Sequence, residues 1–180
     1  MPLDPARCAR VKLLGLDVDG VLTDNAVYIG GEGIESKRFD IQDGLGHALM
    51  REAGIEIVWV SGRFSEATSA RGRELKVRTV LQVAPDGKVP AIEALLAERG
   101  LDWSELAFVG DDLADLPVLS RAGLAIAVAN AVELVKSTAH HVTTRPGGHG
   151  AVREVIDALL HATGRFEQGA ARYLSQAPAP

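Results

Sequence analysis

The sequence has little with which to build a covalent or thiolate framework: Cys8 is the single cysteine among 180 residues. No intramolecular disulfide can form and no multi-cysteine zinc centre can be assembled, so Cys8 reads as a passive residue near a loose terminus. Aromatic residues are scarce at 4%, and Trp59 and Trp103 are read as packing residues. Positive charge is also thin. The formal net charge is -5, and no basic block is longer than the Ser-Lys-Arg of residues 36–38, which argues against nucleic acid as the main partner and leaves a small molecule. No apolar run approaches the ~20 residues of a membrane span, and residues 1–11 lack the apolar centre of a signal peptide. No membrane association and a cytoplasmic location are expected. The end of the chain, from about residue 170 to the closing Ser-Gln-Ala-Pro-Ala-Pro, is expected to be disordered.

What remains is an ordinary globular composition, 47% hydrophobic and 24% charged. The length suits one cored domain covering 1–180 rather than two. Apolar runs alternate with helical patterns throughout, the signature of a parallel sheet with crossover helices. Strands are predicted at Lys12–Val18, Glu56–Ser61, Thr79–Gln82, Leu106–Gly110, Leu124–Val128 and His141–Thr143. Helices are predicted at Gly44–Ala53, Lys88–Arg99 and Ala151–Thr163, each followed by a glycine suited to a C-terminal cap. Residues 25–41 break the alternation and read as a two-stranded hairpin around Gly-Gly-Glu-Gly. The expected fold is α/β, a doubly wound Rossmann-like parallel sheet with this small β-hairpin as a flap and no large cap domain.

The strand ends carry polar residues that buried strands do not need. The first delivers Asp17 and Asp19, which alternation would aim at one spot; two close carboxylates repel unless a proton or a cation intervenes. The second delivers Ser61 and Arg63, the fourth Asp111 and Asp112, and Lys88 opens the helix after the third. In a parallel sheet these gather along one edge, where ligands bind. Together they include a nucleophile, a proton shuttle, a metal clamp, a hydroxyl and an ammonium, the parts of phosphoryl transfer through a carboxylate. An isolated Asp-x-Asp-Gly is more often a turn, Ser61 could open a turn with Gly62, and Lys88, Arg63 and Arg71 could be solvated surface charges. Asp115 could be a second partner in the site or a first-turn helix acid. His140 and His141 are adjacent and point apart in a strand, so no histidine metal site is expected.

The stretches Asp17–Asp24, Val60–Arg63, Lys88 and Val109–Asp115 resemble, in order and spacing, the four motifs of haloacid-dehalogenase-superfamily phosphatases. The resemblance implies Asp17 as nucleophile, Asp19 as general acid/base, Ser61 and Lys88 as phosphate-holding residues, and Mg²⁺ as cofactor on Asp17, Asp111 and the backbone carbonyl of Asp19. The hairpin, the Asp-Ile-Gln-Asp-Gly after it, Arg71 and the Thr-Thr-Arg-Pro-Gly-Gly-His-Gly of residues 143–150 are similar to the 3-deoxy-D-manno-octulosonate 8-phosphate phosphatases of that superfamily. Those enzymes are homotetramers in which a neighbour's flap and tail help close each site. The likeness implies a sugar-acid phosphate as substrate, held by Asp40, Asp43, Gly44, Arg63 and Arg71, in lipopolysaccharide sugar biosynthesis. Ala48 and His149 stand where that family often has arginine, so a nonulosonate 9-phosphate is the alternative substrate. Two other classes are open to a chain of this pattern. A signalling receiver domain would need its phosphoacceptor after the third strand, where only Asp86 is found; a non-catalytic oligomerisation module would not need Asp17, Asp19, Lys88 and Asp111 together.

Overall fold

Leu13–Leu16 (β1) is buried at every residue, as a strand enclosed on both faces must be. In the computed structural model, which describes residues 3–176, β1 is an inner strand of a six-stranded sheet. The other strands are Glu56–Ser61 (β4), Thr79–Gln82 (β5), Leu106–Gly110 (β6), Leu124–Ala127 (β7) and His141–Val142 (β8), in the order β5-β4-β1-β6-β7-β8. All neighbours are parallel, and Leu14 of β1 sits between Ile57 of β4 and Ala107 of β6. Among the described residues no helix is long and apolar enough to cross a membrane.

Parallel neighbours require crossovers, and right-handedness decides their face. Helices Ile41–Glu52 (α2) and Glu66–Glu74 (α3) carry the chain from β1 through β4 to β5. Helix Lys88–Arg99 (α4) then returns it past β1 to β6, and Leu116–Leu119 (α5) and Glu133–Thr138 (α6) continue outward. Reversal of direction places α4, α5 and α6 on the opposite face from α2. On its own face α2 packs against Ala151–Ala162 (α7) and Phe166–Ser175 (α8). The apolar stripe of α7, Val152, Val155, Ile156, Leu159 and Leu160, is fully buried, and the chain reversal leaves a crevice at the carboxyl ends of β1 and β6.

Three expectations need correction. Cys8 is not in a loose terminus: Pro5–Arg10 (α1) is a helix capped by Asp4, and Cys8 is completely buried. The chain is helical well past residue 170, because α8 packs on α2 with Gly169 close to the Leu49 carbonyl; residues 177–180, where the rest of the expected disordered tail falls, lie outside the described residues. Finally, α2 begins at Ile41 rather than Gly44, since the Asp40 side chain accepts from the Gln42 N–H and caps it.

The hairpin is present but short. Tyr28–Ile29 (β2) pairs antiparallel with Glu35–Ser36 (β3) across a turn at Gly31–Gly33. A bridge between Thr23 and Phe39 closes its base, where the Phe39 ring stacks on Trp59. Ile29 and Ile34 are 66% and 65% exposed.

Candidate active site

The site grows from two adjacent strand ends. Past Leu16 the chain stays on the ladder for one more bond, Asp17 N–H to the Val109 carbonyl at 3.0 Å. It then folds back so that the N–H groups of Leu22 and Thr23 both reach the Val18 carbonyl. Gly20 has φ +91, and a β-carbon there would lie 2.0 Å from Asp111 Oδ2. Only glycine allows this loop to lie against the carboxylate that leaves β6.

Lys88, the first residue of α4, reaches into the crevice and is 2% exposed. Its Nζ donates to Asp17 Oδ1 at 2.8 Å and to Asp115 Oδ1 at 2.7 Å. The other oxygen of Asp115 accepts the N–H groups of Asp111 and Asp112, at 2.9 and 3.3 Å, so Asp115 fixes the backbone from which Asp111 projects. Asp17, Asp111 and Asp115 each present one oxygen within 4.8 Å of the others.

Three neighbouring buried carboxylates, with one ammonium shared by Asp17 and Asp115, leave an excess of negative charge. Burial, with Asp115 adding to it and Lys88 only partly offsetting it, pushes Asp17 up to about 7. Burial, then Asp17 and Asp115, push Asp111 up to about 8. Asp111 Oδ1 is buried with no hydrogen-bond partner. An oxygen-only donor set, an unsatisfied carboxylate oxygen and excess negative charge are what a hard divalent cation requires, so the residues fit Mg²⁺. The cleft in front of them has a volume of about 170 Å³ and is bordered by Asp19, Asn25 and Arg63.

Asp19 is half-buried and faces cations from two directions. Lys37 Nζ lies 2.6 Å from its Oδ1, a charge contact without hydrogen-bond alignment, and Arg63 Nη1 lies 3.8 Å from its Oδ2. Both cations also meet Glu35 of the flap. Arg63 bonds it through both nitrogens, at 3.2 and 2.6 Å, the Ser65 hydroxyl donates to it at 2.5 Å, and together they hold its carboxyl down at about 2. The flap is thus tied to the Ser61 loop by a charge cluster that includes Asp19. Ser61 is buried; its hydroxyl donates to the Arg63 carbonyl at 2.9 Å and accepts the Arg63 N–H at 3.3 Å. It shapes that turn.

The residues expected around a sugar acid are placed differently from one another. Arg63 borders the cleft, whereas Asp40, Asp43, Gly44 and Arg71 are engaged in joining helices. Arg71 donates to the Asp40 carbonyl, pairs with Glu74 and lies over the Phe39 ring. Gly44 makes room for it, since a β-carbon would sit 2.8 Å from Arg71 Nη2. Asp43 is 2% exposed and its Oδ1 accepts the Arg153 N–H at 2.7 Å, so it caps the start of α7 from a neighbouring helix. Burial first of all pushes Asp43 up to about 6. Asp43→Ala is therefore expected to cost ~1–2 kcal/mol of folding stability through the lost cap, lowering Tm by about 2–8 °C; calorimetry measures it, and an unchanged Tm would refute the cap.

Two features escaped the sequence. Lys37 was visible only as part of a surface-looking basic triplet. Asn130, in the loop after β7, bridges two loops: its Nδ2 donates to the Gly20 carbonyl at 3.2 Å and its Oδ1 accepts the Gly147 N–H at 2.6 Å. Gly148 N–H adds a bond to the Val21 carbonyl at 3.1 Å, so the Pro-Gly-Gly loop braces the Asp17 loop of its own chain.

A model of haloacid dehalogenase-like hydrolases matches residues 79–156. The chain is 38% identical over 161 residues to the 3-deoxy-D-manno-octulosonate 8-phosphate phosphatase of Yersinia pestis, covering 89% of this chain and 86% of that protein. It is 39% identical over 163 residues to the Escherichia coli K12 enzyme of the same name, with 91% and 86% covered. The chain belongs to the haloacid dehalogenase-like hydrolases. Within them it is a phosphoric monoester hydrolase of the octulosonate-phosphatase type. A crystal structure of such a phosphatase from Moraxella catarrhalis, in complex with magnesium ion, phosphate ion and a KDO molecule, superposes with a TM-score of 0.89 at 36% identity, covering 94% of this chain and 97% of that one. A hydrolase of the superfamily from Legionella pneumophila gives 0.92 at 37% identity, with 96% and 94% covered.

Proposed function

We propose that this phosphatase releases orthophosphate from 3-deoxy-D-manno-octulosonate 8-phosphate through an aspartyl-phosphate on Asp17, with Mg²⁺ as cofactor. The observation that carries it is the convergence of Asp17, Asp111 and Asp115, two of them bonded to the buried Lys88 ammonium, in a chain whose relatives bear that substrate in their names. Mg²⁺ held by Asp17 and Asp111, with the Asp19 carbonyl, would supply charge stabilisation for a phosphoryl dianion beside a carboxylate. Asp17 attacks phosphorus as the ester oxygen leaves, and Lys88 keeps that carboxylate aimed and partly neutralised. Asp19 gives a proton to the departing sugar oxygen and takes one from the water that cleaves the acyl phosphate. Ser61 shapes the turn that brings Arg63 to the cleft, and Arg63 meets the sugar acid.

The exposed Ile29 and Ile34 of a two-stranded hairpin, marginal alone in water, support assembly into a homotetramer through the flaps. His149 replaces a guanidinium usual in this family, but Arg38 of the flap stands beside it, with Nη1 3.5 Å from His149 Nδ1 and bonded to the Gly148 carbonyl. That neighbouring guanidinium supports a carboxylate-bearing sugar acid as substrate, and the names of the relatives support the eight-carbon one over a nonulosonate 9-phosphate. Phosphate release measured on both esters, with Mg²⁺ and with excess chelator, is the test. The octulosonate ester should lead in kcat/KM by at least ~10-fold, and chelator should abolish turnover. Release that ignores chelator sinks the metal assignment; preference for the nonulosonate ester sinks the substrate.

A further inference from the structure

A second cavity, about 240 Å³ against about 170 Å³ for the cleft at Asp17, opens at the other end of the sheet, where β4 and β5 begin. Ile55, Ile57, Leu75 and Val77 line it with apolar surface, and the exposed Arg51, Lys76 and Arg78 ring its mouth. Its one carboxylate, Glu56, is already taken by Arg99, which bonds both oxygens at 3.2 Å. Arg51 is 3.8 Å from Glu52 and donates a long 3.4 Å bond to the Leu75 carbonyl. Among the described residues the side chains of Lys76 and Arg78 have no ion pair or hydrogen bond. Three like charges around one opening repel one another, and a partly apolar floor strengthens the field they make there.

The way α3 ends makes Lys76 stand out. Four helices close with the same two backbone bonds. In α2 they run from Gly54 to Arg51 and from Ile55 to Met50; in α4 from Gly100 to Ala97 and Leu101 to Leu96; in α7 from Gly164 to His161 and Arg165 to Leu160. The residue that turns left-handed is glycine each time, with φ between +64 and +76. In α3 the same bonds run from Lys76 to Arg73 and from Val77 to Gly72, and the left-handed residue is a lysine at φ +58. A β-carbon is disfavoured there. Among the described residues the strained Lys76 makes no side-chain hydrogen bond or ion pair, and it lines the cavity.

We propose that this cavity binds a small anion with a flat apolar body, an aryl or heteroaryl carboxylate or phosphate, with its charge at Lys76 and Arg78 and its body on Ile57 and Val77. The site is separate from the hydrolytic crevice and does not rest on the substrate assigned there. Isothermal titration of the full chain with 1-naphthoate, which has no phosphoryl group, tests it. One saturable site per chain is expected, with Kd below ~1 mM. Lys76→Gly should weaken binding by at least ~10-fold while raising Tm by about 2–4 °C, because glycine relieves the left-handed strain. Arg78→Glu should weaken it similarly, and Asp17→Asn should bind as wild type does. No saturable binding, undiminished affinity in Lys76→Gly, or a lower Tm in that variant overturns the proposal, the last because lysine would then be serving the helix end. Loss of binding in Asp17→Asn also overturns it, by placing the ligand in the hydrolytic crevice.

Discussion

Asp17→Asn is expected to lower phosphate release by at least ~10⁴-fold, in keeping with removal of a nucleophile elsewhere, while leaving the fold intact. The amide oxygen can still accept from Lys88, so the bond at 2.8 Å has a replacement acceptor. What disappears is a negative charge whose burial beside Asp115 is costly. Carboxylates with raised folded pKa lose stability as pH rises from their unfolded value through the folded one. For Asp17 that window runs from 3.8 to about 7, so the metal-free variant should match or exceed the wild-type Tm at pH 8. Residual turnover of more than ~1% in the pure variant would remove Asp17 from the nucleophile's role.

Lys88→Met is expected to be the most damaging single change to the fold near the site. It strands Asp17 and Asp115 without the one cation both of them contact. Breaking a buried pair from one side costs ~3–5 kcal/mol, on the order of 10 °C in Tm for a chain of this size, and activity should fall by at least ~10²-fold with the electrostatic support gone. The stability gap should depend on pH. Above about 7 Asp17 is ionised and needs the ammonium; as pH falls below that value Asp17 takes a proton and the loss shrinks. Urea unfolding at pH 5.5 and pH 8 measures the gap, and equal gaps would show that Lys88 contributes packing rather than charge.

Strands and several helices were legible because their apolar patterns are strong. Glu56–Ser61, Thr79–Gln82 and Leu106–Gly110 fall where the sequence places them, as does the helix Lys88–Arg99. The unread helix α3 has almost no apolar stripe: it buries only Thr68 and Gly72 and is started by the Ser65 cap. In α8, Gly169 looks like a breaker but is there for close approach to α2. Around the crevice, the meeting of Asp17, Asp111 and Lys88 at one edge follows from parallel strands, which the alternation predicts; the order that sets β1 beside β6 is not in it. The flap's Glu35, Lys37 and the bridging Asn130 could not be placed that way. Their partners come from loops distant in sequence, and no periodicity relates Lys37 to Asp19 or Asn130 to Gly147. The helix-joining contacts of Asp43 and Arg71 were hidden for the same reason.

The position of β1 has a consequence for biosynthesis. Leu13–Leu16 leaves the ribosome well before either of its two neighbours, Glu56–Ser61 and Leu106–Gly110. At ~5–20 residues per second, the second neighbour trails the first by several seconds. During that interval a wholly apolar strand has one unpaired edge, the state in which a nascent chain is most open to wrong pairing or chaperone capture. A ribosome-arrested chain ending before Leu106 should therefore be protease-sensitive through β1.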